Sequence, residues 1–410
     1  MQQYDFDRGR FCLAEAWTVG EIKAAVHELI EAHAGRLPDS RDARIVIKPN
    51  LNNDLVALTG NCVDLRVLRA IIADLRDRGY HDFTIADGSN VGVERREIDT
   101  FKRLRVDRLA KREGVRIVDL NHDDGHQVVL AAGAHPRVAR TVLDCDFLIS
   151  VPKVKTHVEA GLSCAMKNWV GIARGQEKRH MHYDLGRNIF AINEVVMPDL
   201  IIVDGLVGME GNGPGDGEPF RLGRLMACDN AFLNDAIVAH LVGMPIARVP
   251  YLLHARDAGH IDDALLADIQ ERLPRICEIK LPPPRTRLAE LADSRRIFWL
   301  KKLARPLTDR PEVLEAAYKL KIIQDVYSRE DDAVRTISRQ PDLCGECRKC
   351  VDFCPTELAL DDIGIKTDPE HCIGCLYCWW VCPEDAIELH GPLNAMQRQV
   401  DRYKKVIEAL

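Results

Sequence analysis

Eight cysteines in two runs of a single spacing are the most chemically specific feature of this chain. Cys344, Cys347, Cys350 and Cys354 are separated by two, two and three residues and lead into Pro355. Cys372, Cys375, Cys378 and Cys382 repeat those gaps and lead into Pro383. Thiolates are soft ligands suited to iron–sulfur clusters and to zinc. Two-residue gaps let a tight loop wrap three thiolates around one face of a cubane, with backbone N–H groups turned toward its sulfides. A fourth thiolate must then arrive from elsewhere, and the proline turns the chain away. Gly345 and Gly374 are expected to relieve crowding where backbone approaches a cluster. Four cysteines also suit structural zinc, but zinc ribbons use two CxxC pairs across a longer spacer and do not repeat this run.

The double run resembles the bacterial two-cluster ferredoxin module over residues 341–390. In that module the fourth cysteine of each run ligates the other cluster. The resemblance therefore implies two 4Fe-4S clusters, one on Cys344, Cys347, Cys350 and Cys382, the other on Cys372, Cys375, Cys378 and Cys354. Tyr377, Trp379 and Trp380 are bulky for positions between ligands. They are expected to pack over the clusters, with a shield against oxygen or a docking face for an electron donor as the alternatives. Cys12, Cys62, Cys145, Cys164, Cys228 and Cys277 are scattered and read as small buried apolar residues, Cys164 being the one that lies among charged motifs.

Those motifs begin at PKVKTHVEAGLSCAMKNWVG (152–171), which carries Lys153, Lys155, His157, Lys167 and Asn168. GQEKRHMHYD (175–184) adds Lys178, His180 and His182. Lys48, Asp87, Lys153, Lys155 and Asp204 each follow an apolar run. A lysine beside an apolar strand end is costly to bury without a partner, so several together imply an anion: a carboxylate, a phosphate or an anionic cofactor. Any one of them taken singly is as well explained as the polar residue that marks where a strand stops. The pair His180 and His182 fits a metal less well than it fits ordinary surface or core histidines. The loop MEGNGPGDGEP (209–219) has neither the Gly-Lys-Ser/Thr of a P-loop nor the helix start of a dinucleotide fingerprint. It reads as a turn, or as a flexible cleft wall presenting Glu210. DGSNVG (87–92), ahead of a predicted helix, is a better anion cradle.

The elements that must position these residues alternate. Helices are predicted over 20–37, 64–79, 99–113, 186–196 and 231–242. Strands are predicted over 44–50, 83–88, 115–120, 127–132, 147–157 and 200–205. The pattern predicts an α/β fold with a largely parallel sheet and flanking helices, whose ligands bind outside the carboxyl ends of the strands. The expected domains are an α/β body (1–280), a helical linker (281–340), a C-terminal α+β two-cluster domain (341–390) and a last helix (391–410). That helix places Met396, Val400, Tyr403 and Ile407 on one face. RRIFWLKKLAR (295–305) is basic and amphipathic and is expected to pack on the acidic cluster domain rather than on a membrane surface.

The body also resembles a family. KPNLN (48–52), PKVKTH (152–157), MKNWVG (166–171), VDG (203–205), MEGNGPGDG (209–217) and Asn234-Asp235 look like the domain of unknown function family 362, over about residues 44–245. Members of that family are frequently fused to a two-cluster ferredoxin module. The resemblance implies shared roles for Lys48, Lys155, His157, Lys167, Asn168, Asp204, Glu210 and Asp235, and supplies no reaction.

Composition narrows the function. Hydrophobic residues make up 46% and charged residues 29% of 410 residues, the profile of a globular protein. Residues 341–390 hold eleven acidic and three basic side chains, so that −8 of the total net charge of −7 resides there and the remainder carries about +1. Neither balance suits nucleic acid as a partner. MQQYDFDRGRF lacks the apolar core of a secretory signal, and fourteen cysteines without one favour reduced thiols and a cytoplasmic location.

The combined expectation is a ferredoxin-type oxidoreductase acting as a reductase. An external electron donor, a low-potential carrier or a reductase, feeds two 4Fe-4S clusters, and an anionic small molecule or cofactor in the lysine-lined cleft receives the electrons. His157, whose ordinary pKa is ~6.5, is the expected general acid, with Lys155 and Lys167 beside it. Lys48, Asn50, Lys153, Asn168, Lys178 and His182 are expected to hold the anion. Asp204 and Glu210 are expected to orient the lysines or bind a hydroxyl or amine. A flavin would serve to split electron pairs, although no motif demands one. The alternative is a non-enzymatic carrier or an accessory protein that matures a partner metalloenzyme.

Overall fold

The computed structural model describes residues 1–284, 313 and 327–410. The strands of the body run β1 (Gln2–Phe6), β2 (Gly9–Glu15), β3 (Ile45–Pro49), β4 (Phe83–Asp87), β5 (Arg116–Asp119), β6 (Gly125–Gln127), β7 (Arg137–Ala139), β8 (Phe147–Val151), β9 (Lys153–His157), β10 (Gly161–Ser163), β11 (Leu200–Glu210) and β12 (Glu218–Cys228). The main sheet has the order β1-β2-β12-β11-β8-β3-β4-β5, with β9 beside β11 and β10 beside β9. Its centre, β11-β8-β3-β4-β5, is parallel throughout, and the β12-β2-β1 edge is antiparallel. The sheet is thus mixed but mostly parallel. β6 and β7 form a separate ribbon.

Helices α1 (Val19–Ala32), α2 (Leu65–Asp77), α3 (Val91–Glu94), α4 (Thr100–Arg103), α5 (Val106–Glu113), α6 (Arg140–Leu143), α7 (Ala165–Asn168), α8 (Leu185–Val195) and α9 (Ala231–Leu241) flank this sheet. The sequence of β3 shows why both faces are covered. All five residues of IVIKP are buried; Ile45 and Ile47 pack with α1 and α2, while Val46 joins Trp169, Ile172 and Ile192 on the opposite face. Alternation then continues into polar residues, which puts Lys48 on the Trp169 face at the strand's carboxyl end. The start of α1 is fixed by a capping box, in which Thr18 accepts from the Glu21 N–H and the Glu21 carboxylate accepts the Thr18 N–H at 2.9 Å.

Several elements differ from the sequence pattern. The predicted helix 99–113 is two helices, broken at Arg105, whose φ of 62° is left-handed. The predicted strand 127–132 is not in the main sheet; β6 ends at Gln127 and Ala131–Gly133 is a 3-10 turn. The hairpin β1–β2 and the long antiparallel β12 carry no signal that separated them from loop. The GNGPGDG run is the connection between β11 and β12.

In the C-terminal region β13 (Thr336–Arg339) pairs antiparallel with β14 (Ile387–His390), so the small strand-and-helix unit starts before residue 341. Its apolar residues are continuous with the body: Phe353, Tyr377, Trp380 and Ile407 share one buried core with Leu68 and Ile71 of α2. The final helix, Gln397–Glu408, buries Tyr403 and Ile407. The Tyr403 hydroxyl donates to Gly217 O at 3.0 Å, and the Gln399 side-chain carbonyl accepts from the Val56 N–H at 2.9 Å. The basic segment 295–305 lies outside the described residues. Among the described residues no helix is long and apolar enough to cross a membrane.

Candidate functional site

The carboxyl ends of β3, β4 and β9 open onto a cavity of about 220 Å³. Eight of the expected catalytic and anion-holding residues line it: Lys48, Asn50, Lys155, His157, Lys167, Asn168, Lys178 and His182. They come from four separate stretches of chain. β3 delivers Lys48 and the loop after it Asn50; β9 delivers Lys155 and His157; α7 carries Lys167 and Asn168; the turn Gly175–Tyr183 brings Lys178 and His182.

Amide groups organise the floor. Lys48 Nζ sits 2.6 Å from the Asp87 carboxylate and donates to Asn168 Oδ1 at 2.9 Å. Asn168 Oδ1 also accepts from Asn50 Nδ2 at 3.2 Å, while its own Nδ2 donates to Ser150 Oγ at 3.1 Å. Asn50 Oδ1 in turn accepts from Lys155 Nζ at 2.8 Å, and the Asn61 backbone carbonyl accepts from the same ammonium at 2.8 Å. Lys178 Nζ donates to Asn121 Oδ1. Two glycines permit these approaches. A Cβ at Gly171 would stand 2.6 Å from both Lys48 Nζ and Asp87 Oδ1, and one at Gly88 would stand 2.5 Å from Lys178 Nζ.

The charge balance of this cavity is the informative feature. Lys48 has a carboxylate partner. Lys155 and Lys178 are met by amide oxygens, and Lys167 makes no hydrogen bond or ion pair among the described residues. Burial is the main cause that lowers the pKa of Lys155 to about 7, with Lys167 as a further repulsive charge. Lys167 is lowered to about 8, chiefly by burial and against the more distant pull of Glu159. Lys178 is also lowered to about 8, by burial against the pull of Asp87 and Asp119. Lys48 is lowered too, by burial against the opposing pull of Asp87.

His157 is buried, and its Nδ1 accepts from the Glu159 and Ala160 backbone N–H groups at 3.1 and 3.2 Å. That fixes the neutral tautomer with the proton on Nε2. Burial, followed by Lys167, holds its pKa well below the usual imidazole range. His182 stands further out, with Nδ1 2.9 Å from the Glu159 carboxylate. DGSNVG contributes Asp87, Gly88, Asn90 and Val91 to the lining.

Three expected members lie elsewhere. Lys153 and Asp204 form a fully buried ion pair at 2.8 Å, in which the Asp204 carboxylate also accepts the Asp64 and Leu206 N–H groups. Glu210 accepts from the Lys280 backbone N–H at 2.8 Å and faces its ammonium at 3.4 Å. None of the three lines the cavity, because each is satisfied by its own partner. Conversely, Asn53, Asn61, Asn121 and Tyr327 take part in the site or its support without having stood out, since isolated loop amides carry no periodic signal. Asn234-Asp235 acts from behind: the Asp235 carboxylate accepts the Ala165 and Met166 N–H groups at 2.8 and 3.0 Å and so holds the turn that bears Lys167 and Asn168.

The cysteines form two groups, each drawing on both runs. Cys344, Cys347, Cys350 and Cys382 line one small cavity together. Cys354 lies within electrostatic reach of Cys372, Cys375 and Cys378. The backbone repeats between the runs: Glu346, Arg348 and Glu357 have φ of 53°, 64° and 59°, and the matching Gly374, Leu376 and Asp385 have 65°, 64° and 48°. Left-handed residues at alternate positions turn successive N–H groups inward, a concavity suited to an anionic centre. Gly374 N donates to Cys372 Sγ at 3.3 Å, Ala386 N to Cys382 Sγ at 3.3 Å and Leu358 N to Cys354 Sγ at 3.5 Å. Four convergent thiols per group and inward-facing amides fit two 4Fe-4S clusters. The crowding expected at Gly345 is absent, since a Cβ there would meet nothing nearer than the Glu384 side chain at 3.8 Å; the position matching Gly374 in the first run is Glu346. Trp380 is buried in the core, and Trp379 lies under the Lys404 ammonium at 4.9 Å.

These features define an iron–sulfur protein in which a two-cluster module is built onto an α/β body. Residues 45–240 match the model of the domain of unknown function family DUF362, and residues 336–383 match that of a 4Fe-4S dicluster domain. Among characterised proteins, the chain is 26% identical over 256 residues to a thylakoid-associated protein of Synechocystis sp., covering 58% of this chain and 75% of that one. It is 31% identical over 107 residues to the B subunit of tetrathionate reductase from Salmonella typhimurium, covering 25% of this chain and 43% of that one. A shorter match, 36% over 63 residues, links it to the B subunit of sulfite dehydrogenase from Allochromatium vinosum, covering 14% of this chain and 26% of that one. The lactate racemase apoprotein of Thermoanaerobacterium thermosaccharolyticum aligns at a TM-score of 0.35 and 12% identity, over 53% of this chain and 54% of that one. The chain thus spans about half of that solved structure. The dicluster match supports iron–sulfur clusters and, with them, an electron-transfer role.

Proposed function

We propose that this protein passes electrons through its two 4Fe-4S clusters to an anionic substrate or cofactor held in the lysine-lined cavity. The observation that carries the proposal is the uncompensated positive charge there: three lysines with no carboxylate bonded to them, around a space large enough for a small molecule. Bound clusters would supply single electrons. The chain's own groups do the rest. Lys155 and Lys167, with pKa values near neutrality, are the proton donors that accompany reduction. His157 serves as a neutral Nε2–H hydrogen-bond donor rather than as an imidazolium acid. Asn50 and the Asn61 carbonyl hold the ammonium of Lys155 in place, and Asn168, itself bonded by Lys48, orients Asn50.

The cavity is tied to the cluster module through the chain between β3 and α2. Asn61 in that segment accepts from Lys155, and the Leu65 N–H donates to the Tyr377 hydroxyl at 3.3 Å. The test is to reduce the full chain with dithionite and follow cluster re-oxidation in the visible as carboxylate- and phosphate-bearing acceptors are added. Some anion should re-oxidise the clusters, and Lys155→Met or Lys167→Met should slow this about tenfold or more with iron content unchanged. Indifference of both variants would remove the cavity from the reaction. A second reading, a carrier that hands electrons to a partner protein, is favoured by the likeness to two B-type redox subunits. It expects re-oxidation only by that protein.

A further inference from the structure

The two cysteine groups do not stand equally toward the body. Every residue lining the cavity of the first group, Cys344, Cys347, Cys350 and Cys382, lies between 339 and 387. Cys347 is exposed, and Glu384 is part of that lining. Two cations are near this group. Arg339 donates to Cys344 Sγ at 3.7 Å but shares its charge with Asp361 at 3.6 Å, and Arg348 is exposed. The second group is held by the body. Arg105 Nε donates to Gly374 O at 3.2 Å, Arg108 Nη1 to Ile373 O at 3.4 Å, and Arg112 to Glu370 O.

Two of these guanidinium groups bear on the ligands themselves. By bonding the carbonyls of Gly374 and Ile373, which flank Cys375 and Cys372, the two guanidinium groups bring their charge within electrostatic reach of those thiols. Neither forms an ion pair with a carboxylate among the described residues, although Asp107 and Asp332 attract Arg105, and Asp107 also Arg108, from beyond ion-pair distance. The nearby Asp368 is engaged by His371 at 2.7 Å. Their placement is locally constrained in two ways. Arg105 itself occupies the left-handed region at φ 62°, an uncommon and costly conformation for a long side chain. A Cβ on Gly374 would come within 2.7 Å of Arg108 Nη1, so that approach depends on glycine. Beside the same group, the Tyr377 hydroxyl meets Leu65 at the start of α2. The segment leading into α2 also holds Asn61, whose carbonyl accepts from Lys155, and Asp64, whose N–H reaches Asp204.

We infer that the group Cys354, Cys372, Cys375 and Cys378 is the inner station of the relay, and that Arg105 and Arg108 make its cluster the more easily reduced of the two. The inner position rests on the electron route proposed above; the arginine effect does not. The physical basis is general. A cluster gains negative charge on reduction, so positive charge beside its ligands raises its potential. Lowered access of water strengthens that attraction even though burial by itself disfavours the more negative state; with two guanidinium groups at the body-facing cluster, the attraction is the larger effect. The result is an electron that rests on the body-facing cluster instead of at the solvent-facing one. Arg105 and Arg108 are positioning residues in this account; they touch the ligand loop and no reacting atom.

The test needs no substrate and is independent of the cavity's role. The full chain, purified anaerobically, is titrated with dithionite and the two reduced-cluster signals are followed by electron paramagnetic resonance. Cys347→Ser identifies the signal of the first group. In Arg105→Gln/Arg108→Gln the other signal should move to more negative potential while the first stays in place. Arg105→Lys/Arg108→Lys, which keeps the charge but not the planar fork, should stay close to wild type and controls for loss of folding. The inference is overturned if the glutamine pair shifts neither signal, shifts both equally, or shifts the one altered by Cys347→Ser. It is overturned too if the lysine pair shifts the inner signal as far as the glutamine pair.

Discussion

Raising pH should expel a dianion from the cavity while making the unliganded protein more stable, and both effects trace mainly to Lys155. Burial places Lys155 at about 7 and Lys167 and Lys178 at about 8. An unfolded lysine titrates at ~10.4. Between the folded and unfolded values the unfolded chain binds more protons, so stability rises with pH through that window. At 1.36 kcal/mol per unit, Lys155 alone contributes up to ~4–5 kcal/mol between about pH 7 and 10. Anion binding runs the opposite way, because the ammonium form attracts it. Only about one Lys155 in a hundred, and about one Lys167 or Lys178 in ten, is protonated at pH 9. A requirement for the Lys155 proton alone weakens binding ~100-fold from pH 6 to 9, and a requirement for all three sets a ceiling of ~10⁴-fold. Sulfate is the suitable probe, since it is a dianion throughout, with calorimetric titrations and thermal melts at each pH. His157 stays neutral across the range and adds no slope. A sulfate affinity that is flat from pH 6 to 9, or a Lys155→Met variant with the wild-type slope, would refute the reasoning.

Other consequences are equally direct. Asp87→Asn leaves the buried Lys48 ammonium without its partner at 2.6 Å and should cost about 3–5 kcal/mol in denaturant unfolding, with much of that recovered in Lys48→Met/Asp87→Asn; an unchanged midpoint would contradict the pairing. Asp235→Asn removes an acceptor for two backbone N–H groups. It should lower stability by roughly 1–3 kcal/mol and weaken sulfate binding with iron retained. Cys354→Ala should release about half of the iron and leave intact the signal that Cys347→Ser alters. If Cys354→Ala and Cys347→Ser disturb the same signal, the exchange of fourth ligands between the runs is wrong.

The readable parts of this molecule were those whose chemistry is local or periodic. Cysteine spacing is set within a few residues, so both ligand groups could be expected from the chain alone. Lys48 and Lys155 are also legible, because buried strands end where polar residues begin and the carboxyl ends of parallel strands share one side of the sheet. What failed depended on distant partners. Asp204 does orient a lysine, but that lysine is Lys153 and the pair lies away from the cavity, while Glu210 is taken by Lys280. β12 was missed because EPFRLGRLMAC alternates too weakly to declare itself, and the helix break at Arg105 because no glycine or proline marks it. His157 was placed correctly but given the wrong proton: two backbone N–H groups on Nδ1 decide its state, and no sequence pattern reports them.

The central claim is that cluster-bearing thiols and an anion-holding cavity belong to one device. It is tested most directly by purifying the full chain anaerobically beside Lys155→Met/Lys167→Met, counting iron, sulfide and zinc, and weighing the small molecules released on denaturation by mass spectrometry. The account predicts about eight irons and eight sulfides in both proteins, and an anion released from the wild type that the variant lacks. Zinc in place of iron, or the same anion content in both, would contradict it.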